Sequence, residues 1–335
     1  MPESSPLPLE ADRGIRFYSL ARHALMQALK MSGITPGQRV LMPGFLCRDL
    51  LAPLAKVQAN PVWYAVDERL QPVEAPDYWP VASAVLAVNY FGFPQDLAPF
   101  RAYAARTGAL LIEDNAHGFL SRDDDGNWLG SRAPYGVFSI RKTLRIPDGA
   151  ALMVNDLQGK ERLPPPLPFD GPGLNPAERH KARMRRIPML GDALLRTSTA
   201  LARRVRRLRT GSEFPQADPH SEIELPAGSN PWSGLRDALR NVDVDDEIRR
   251  RRQAYAACAT LAARAVGVEP VFKELPMHCA PYGFPFRSDP AGRQIMQGFA
   301  DRHGFDLVTW PDLPGAIVGH APEHYRNVLM VNFLW

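Results

Sequence analysis

From about residue 16 to about residue 156, short apolar runs alternate with segments whose apolar positions recur at helical spacing. "RFYSLARHALMQALKMSG" carries the helical pattern and stops at Gly33, a residue suited to ending a helix. "TPGQRVLMPGFL" reads as turn, short strand, turn, and "NPVWYAVD" as a strand ending in an acid. "VASAVLAVNYFG" is a continuous apolar run of the kind buried on both faces of a sheet. "LAPFRAYAARTG" predicts a helix closed by Gly108, and "ALLIED", "YGVFSI" and "GAALMVND" predict three further strands. This alternation defines an α/β fold, a largely parallel sheet layered with helices. Ligands in such sheets bind at the carboxyl ends of the strands, where Asn89, Asp114 and Ser139 fall.

The pattern changes from Leu157 to Gly228, which is rich in proline and arginine and predicts an amphipathic helix near 188–209. "DVDDEIRRRRQAYAACATLAARA" predicts a long helix whose acidic start and basic body suit the macrodipole. "CAPYGFPFRS", "AGRQIMQGFADRHGF" and "YRNVLMVNFL" then read as strand, helix, strand. The expected organisation is a large domain over 1–235, interrupted by a basic insertion at about 160–228, and a small α+β domain over 236–335.

Composition adds limits. Three separated cysteines, Cys47, Cys258 and Cys279, form no disulfide framework or metal-binding spacing, and point to a reducing compartment. "MPESSPLPLEADRG" lacks the basic and apolar regions of a signal peptide, so a cytoplasmic location is expected. The net charge of +4 is concentrated locally. Between Arg179 and Arg209 eleven Lys/Arg face one acid, Asp192. A solvated helical face or subunit contact accounts for such a run, as does a surface for an anionic substrate or for anionic lipid. Without a reading motif beside it, nucleic acid is not expected as a partner.

The candidate chemistry lies in "LLIEDNAHGFLSRDDDGNWLGSRAPYGVFSIRKTLRIPDGAALMVND". Asp114 ends one buried strand, His117 follows three residues later, and Lys142 follows the next strand after a polar hairpin. A carboxylate and a lysine amine brought together suit an ion pair. They also suit an aldehyde cofactor with a pyridine nitrogen, which would use both groups. His117 could reach the same ligand, and the Ser139 hydroxyl could meet a phosphate. His320 and His324 have metal-ligand spacing but are separated by Pro322 and have no further ligand, so no metal is expected. "RDDDGN" at 122–127 lacks the terminal Glu of a calcium loop and reads as a hairpin turn.

"IEDNAHG" followed by "GVFSIRKTLRIPDGAALMVND" resembles the cofactor site of the DegT/DnrJ/EryC1/StrS aminotransferases, a pyridoxal-phosphate branch of the fold type I, aspartate-aminotransferase superfamily. The likeness extends upstream through "ARHALMQALKMSGITPGQRVLMPGF" and downstream through "GSNPWSGLRDALRNVDVDDEIRRRRQAYA". It implies that Lys142 bonds the aldehyde of pyridoxal 5'-phosphate, that Asp114 pairs with the ring nitrogen and that His117 meets the phenolic oxygen. Ser139 and the backbone amides of Ala21 and Arg22 would hold the phosphate, and Asn230 would reach the phosphate of a neighbouring subunit in a homodimer. The aromatic that covers the ring in the family falls near "GFLCR", at Phe45 or Cys47. The implied reaction is amino transfer from an amino acid such as glutamate to a keto-sugar, nucleotide-linked or similar. Family members that dehydrate sugars replace the lysine with histidine, whereas lysine stands at 142.

Several departures mark a divergent member. "LARHA" replaces Ser-Gly-Thr at the phosphate helix, Lys142 follows Ser139 at a shorter spacing, and "PDGAA" replaces "GEGGA". These changes, with a sequence that ends at "VLMVNFLW" where the family usually continues into a further helix, leave open a catalytically reduced relative acting as a ligand-binding or scaffold protein.

Overall fold

In the computed structural model, residues 7–9, 14–174 and 218–334 are described. The basic segment 179–209, including the helix expected near 188–209, lies outside them.

Seven strands form the larger sheet: β1 (Ile15–Tyr18), β2 (Arg39–Pro43), β3 (Asn60–Tyr64), β4 (Ala84–Val88), β5 (Leu110–Asn115), β6 (Tyr135–Phe138) and β7 (Ala150–Val154). Their spatial order is β1-β7-β6-β5-β4-β2-β3. Strands β3, β2, β4, β5 and β6 pair in parallel, while β7 runs antiparallel to both β6 and β1. The central strands β4 and β7 are buried at every position, which is why they read as unbroken apolar runs.

Helix α1 (Ala21–Met31) packs against β7, β6 and β1; α2 (Leu51–Val57) lies against α1. Helix α3 (Ala98–Thr107) packs on β4 and β5 and ends at Gly108 in the left-handed conformation that glycine permits. The helical pattern starting at Arg16 needs correction: Ile15–Tyr18 is a strand and α1 begins only at Ala21. Backbone pairing with β7, from Ile15 opposite Met153 to Tyr18 opposite Ala150, overrides the local periodicity.

After α4 (Leu157–Glu161) and α5 (Leu235–Arg240) comes the long α6 (Val244–Ala262). Asp243 caps α6 by accepting from the Asp246 amide, and three acids occupy the first turn. The last turn holds no basic residue. The arginines in the middle of α6 serve other contacts: Arg249 pairs with Asp246, Arg250 and Arg251 with Glu247. A second sheet, ordered β10-β11-β9-β8, consists of β8 (Val268–Pro270), β9 (Gly283–Ser288), β10 (Asp306–Thr309) and β11 (Leu329–Asn332). All of its pairings are antiparallel. Helices α6 and α7 (Pro290–His303) pack on it, and a single apolar cluster runs from Leu86 and Phe91 to Phe284 and Val331.

A buried polar network braces the carboxyl edge of the large sheet. Glu113 is fully buried and receives the Arg132 guanidinium at 2.6 Å. Asn89 donates to Glu113 and Asn115, and its oxygen accepts from Gln95 N and Arg132 Nη2. With every partner satisfied, the network can be buried without an uncompensated charge. Removing the acid leaves the mostly buried Arg132 with only Asp123, 3.8 Å away, as a charge partner. Glu113→Ala is therefore expected to destabilise the protein by about 3–5 kcal/mol, measured by urea unfolding.

Candidate active site

One cavity opens where β4, β5 and β6 end and α1 begins. Its wall includes Asp114, His117, Ser139 and Lys142, together with Ala21 and Arg22. The short spacing from Ser139 to Lys142 is spanned by a single tight turn, in which the Lys142 amide donates to Ser139 O at 3.1 Å. This turn lifts the lysine away from the sheet and back over the end of β5. There Lys142 Nζ lies 3.2 Å from His117 Nε2.

Asp114 and Glu113 are adjacent on β5 and so point to opposite faces, the first to the cavity and the second to the bracing network. Asp114 is buried, and its Oδ1 accepts from the Ala116 amide at 2.9 Å. Burial pushes its carboxyl above the ordinary range, more than that hydrogen bond and the nearby Lys142 charge pull it down. His117 is buried too, and loss of solvent, assisted by Lys142, holds its imidazole well below its usual value. His117 is thus a neutral ring at neutral pH.

The second sheet and its loops complete the enclosure. The Tyr282 ring stacks on His117 at 4.5 Å between centroids, with 7° between planes. Trp310 meets the same imidazole edge-on at 5.2 Å and lines the cavity. Arg251, 1% exposed, donates to the carbonyls of Thr143, Pro281 and Tyr282, tying α6 to the residue after Lys142 and to the ring that covers His117. None of Tyr282, Trp310 or Arg251 was marked by the sequence reading, because each is brought to the site by chain more than a hundred residues beyond Lys142.

Of the two residues in "GFLCR", Cys47 lines the cavity, whereas Phe45 is fully buried among Tyr90, Trp310 and Tyr325. Burial pushes the Cys47 thiol up to about 12, so it stays protonated and is no nucleophile at neutral pH. Asn230 does not line this cavity; its amide donates to Asp170 Oδ1 at 2.7 Å on the surface. The 122–127 segment is a hairpin turn, with Asp123 accepting from the Asn127 amide and Gly126 at φ 82°. His324 Nε2 contacts Val66 O, and no cluster of His, Cys, Asp or Glu able to hold a metal occurs among the described residues.

The lining fits an anionic aldehyde cofactor on grounds of its own. The Nε of Arg141 is buried at this cavity with no hydrogen-bond partner among the described residues. It lies in the same wall as the first turn of α1, whose Leu20 cap supplies no side-chain acceptor. An unpartnered guanidinium nitrogen and a helix start together suit a phosphate. Lysine and buried carboxylate supply the two groups that such a cofactor's aldehyde and ring nitrogen require.

The fold built on this sheet is the one found in solved aminotransferases. The solved aminotransferase TlmJ from Streptoalloteichus hindustanus shares the fold at a TM-score of 0.63 and 20% identity, covering 96% of this chain and 80% of that one. Residues 17–164 match the model of the DegT/DnrJ/EryC1/StrS aminotransferase family. Among curated proteins it is 34% identical over 149 residues to the L-glutamine:2-deoxy-scyllo-inosose aminotransferase of Streptoalloteichus tenebrarius, covering 42% of this chain and 34% of the relative. It is also 29% identical to the UDP-N-acetyl-3-dehydro-alpha-D-glucosamine 3-aminotransferase of Acidithiobacillus ferrooxidans, covering 42% of this chain and 40% of the relative. The matched segments thus span well under half the length of these two relatives. No helix among the described residues is long and apolar enough to cross a membrane.

The raised Asp114 carboxyl has a thermodynamic consequence. Below the ordinary carboxylate range the group is protonated in both folded and unfolded chains. As pH rises toward the raised folded value, the unfolded chain ionises first, so the cofactor-free protein loses stability. Asp114→Asn keeps an acceptor for the Ala116 amide and cannot ionise. Thermal unfolding of the cofactor-free variant should match the parent at acid pH and exceed it increasingly toward neutrality.

Proposed function

We propose that the protein is a pyridoxal-phosphate-dependent aminotransferase that moves an amino group from an amino acid, glutamate or glutamine, to a ketone on a sugar or cyclitol. The observation that carries this reading is the convergence of Lys142, His117 and Asp114 on one enclosed cavity beside the unpartnered Arg141 Nε. The names of the curated relatives supply the acceptor class, a keto-cyclitol in one and a nucleotide-linked keto-sugar in the other.

Pyridoxal 5'-phosphate supplies an aldehyde that exchanges amino groups and a ring that accepts the electron pair left when a proton departs the donor carbon. The rest falls to the chain. Lys142 Nζ would bond the aldehyde and would move the proton between the donor's Cα and the cofactor's C4′. Asp114 would pair with the ring nitrogen, and a positive charge there would offset the cost of its buried carboxylate. His117 Nε2 is assigned to the phenolic oxygen. Ser139, Arg141 and the amides of Ala21 and Arg22 are assigned to the phosphate. Cys47 and Trp310 wall the cavity and exclude water from the reacting atoms.

The surface residue Asn230 is assigned to the phosphate of a neighbouring subunit, which makes the working form a homodimer with shared sites. Residues 1–235 and 236–335 are taken as its large and small domains.

Purified protein supplied with pyridoxal phosphate is expected to show the visible absorbance of a lysine-bound cofactor. Borohydride should fix the added mass on the peptide that carries Lys142. Lys142→Ala should lose both signals and reduce amino transfer at least about a thousandfold. Retention of the band, or fixation on another lysine, would remove the basis of the assignment.

A further inference from the structure

The loop after β4, Tyr90-Phe91-Gly92, holds a bulky residue in an unusual backbone state. Phe91 is fully buried at φ 55°, ψ 18°, in the left-handed region, where a large side chain is rarely found. The turn is over-determined by its surroundings. Phe91 O accepts from the Tyr282 amide at 2.7 Å, and Gly92, at φ 89°, is pressed so closely on Ala280 O and His117 O that a methyl group there would lie 2.9 and 3.1 Å from them. Such strain persists where it does something.

What it does is aim one N–H. The Phe91 amide donates to His117 Nδ1 at 3.2 Å, and the Phe91 ring stacks on the imidazole at 5.7 Å with 27° between planes. A nitrogen that accepts a hydrogen bond carries no proton. A neutral imidazole has one N–H, which must then sit on Nε2. That N–H faces Lys142 Nζ at 3.2 Å.

We infer that Phe91 is a positioning residue: its left-handed backbone fixes His117 as the Nε2–H tautomer, which directs a hydrogen-bond donor into the cavity beside Lys142. The same donor would serve the phenolic oxygen assigned to His117 without any change of tautomer; that use rests on the proposed function, whereas the tautomer itself does not. Around the imidazole, Lys142 is the charged neighbour; Phe91, Tyr282 and Trp310 supply aromatic contacts, and Asp114, Cys47 and Arg141 share the cavity. The burial that keeps His117 neutral agrees with the one-proton ring that the two contacts demand.

Nitrogen NMR of the full chain, labelled at histidine and stripped of cofactor, tests this directly. His117→Gln identifies the His117 signals by their loss. The expected pattern at neutral pH is one protonated nitrogen, Nε2, and one unprotonated nitrogen, Nδ1. Phe91→Gly preserves both the amide and the left-handed backbone and should keep the pattern. In Phe91→Val the branched side chain disfavours that backbone, and the pattern should change to mixed tautomers or a doubly protonated ring. The inference is overturned by an Nδ1–H or doubly protonated His117 in the parent protein, by loss of the pattern in a folded Phe91→Gly protein, or by an unchanged pattern in a folded Phe91→Val protein. Should Phe91→Val fail to fold, the parent and Phe91→Gly spectra still decide. Because no cofactor is present, failure here is separate from failure of the lysine-labelling experiment.

Discussion

Lys142 Nζ and His117 Nε2 lie 3.2 Å apart in a site largely withdrawn from water. Two groups that can each carry positive charge do not remain so close in low dielectric if both are charged, and here burial keeps the imidazole neutral. Much of the surrounding structure maintains that condition. Tyr282 and Trp310 exclude water from two sides of the ring, and the Phe91 amide occupies its far nitrogen. Asp114 places a carboxyl in the same enclosure, where its ionisation is costly unless a positive charge faces it.

Enclosure of this kind needs material from both sheets. The large sheet carries Asp114, Ser139 and Lys142 at its carboxyl edge, as the topology of parallel strands dictates. Tyr282 and Trp310 come from the chain around the second sheet, and Arg251 binds that part to the first through the carbonyls of Thr143, Pro281 and Tyr282. The charge of Arg251 is met by Glu247 on the same helix, which leaves the remaining donors for those carbonyls. The Asn89–Glu113–Arg132 network does corresponding work at the floor, locking the ends of β4 and β5, with Asn89 itself reaching the cavity wall.

Much of the architecture was legible in the sequence because a strand buried on both faces admits little but apolar residues. β4, β5, β6 and β7 could be read for that reason, and α3 because Gly108 marks its end. β1 was not legible: its four residues continue smoothly into the pattern of α1, and the pairing partner that makes them a strand lies about 135 residues away. The basic stretch of α6 was read as a response to the helix dipole, yet Arg251 faces inward and is among the largest fully buried side chains. Nothing in a run of four arginines distinguishes the one that is buried from its neighbours.

Local order along the chain was enough to name Asp114, His117, Ser139 and Lys142 as chemistry-bearing candidates, since all four stand at or just beyond the ends of successive sheet strands. Strand periodicity also set which of Glu113 and Asp114 could share a face with another residue. Folding had to settle the rest. It put Cys47 rather than Phe45 on the cavity wall, left Arg141 Nε there without a partner among the described residues, and laid Tyr282 and Trp310 against His117. Protonation and exposure depend on what packs around a group, and residues far apart in the chain supply that packing.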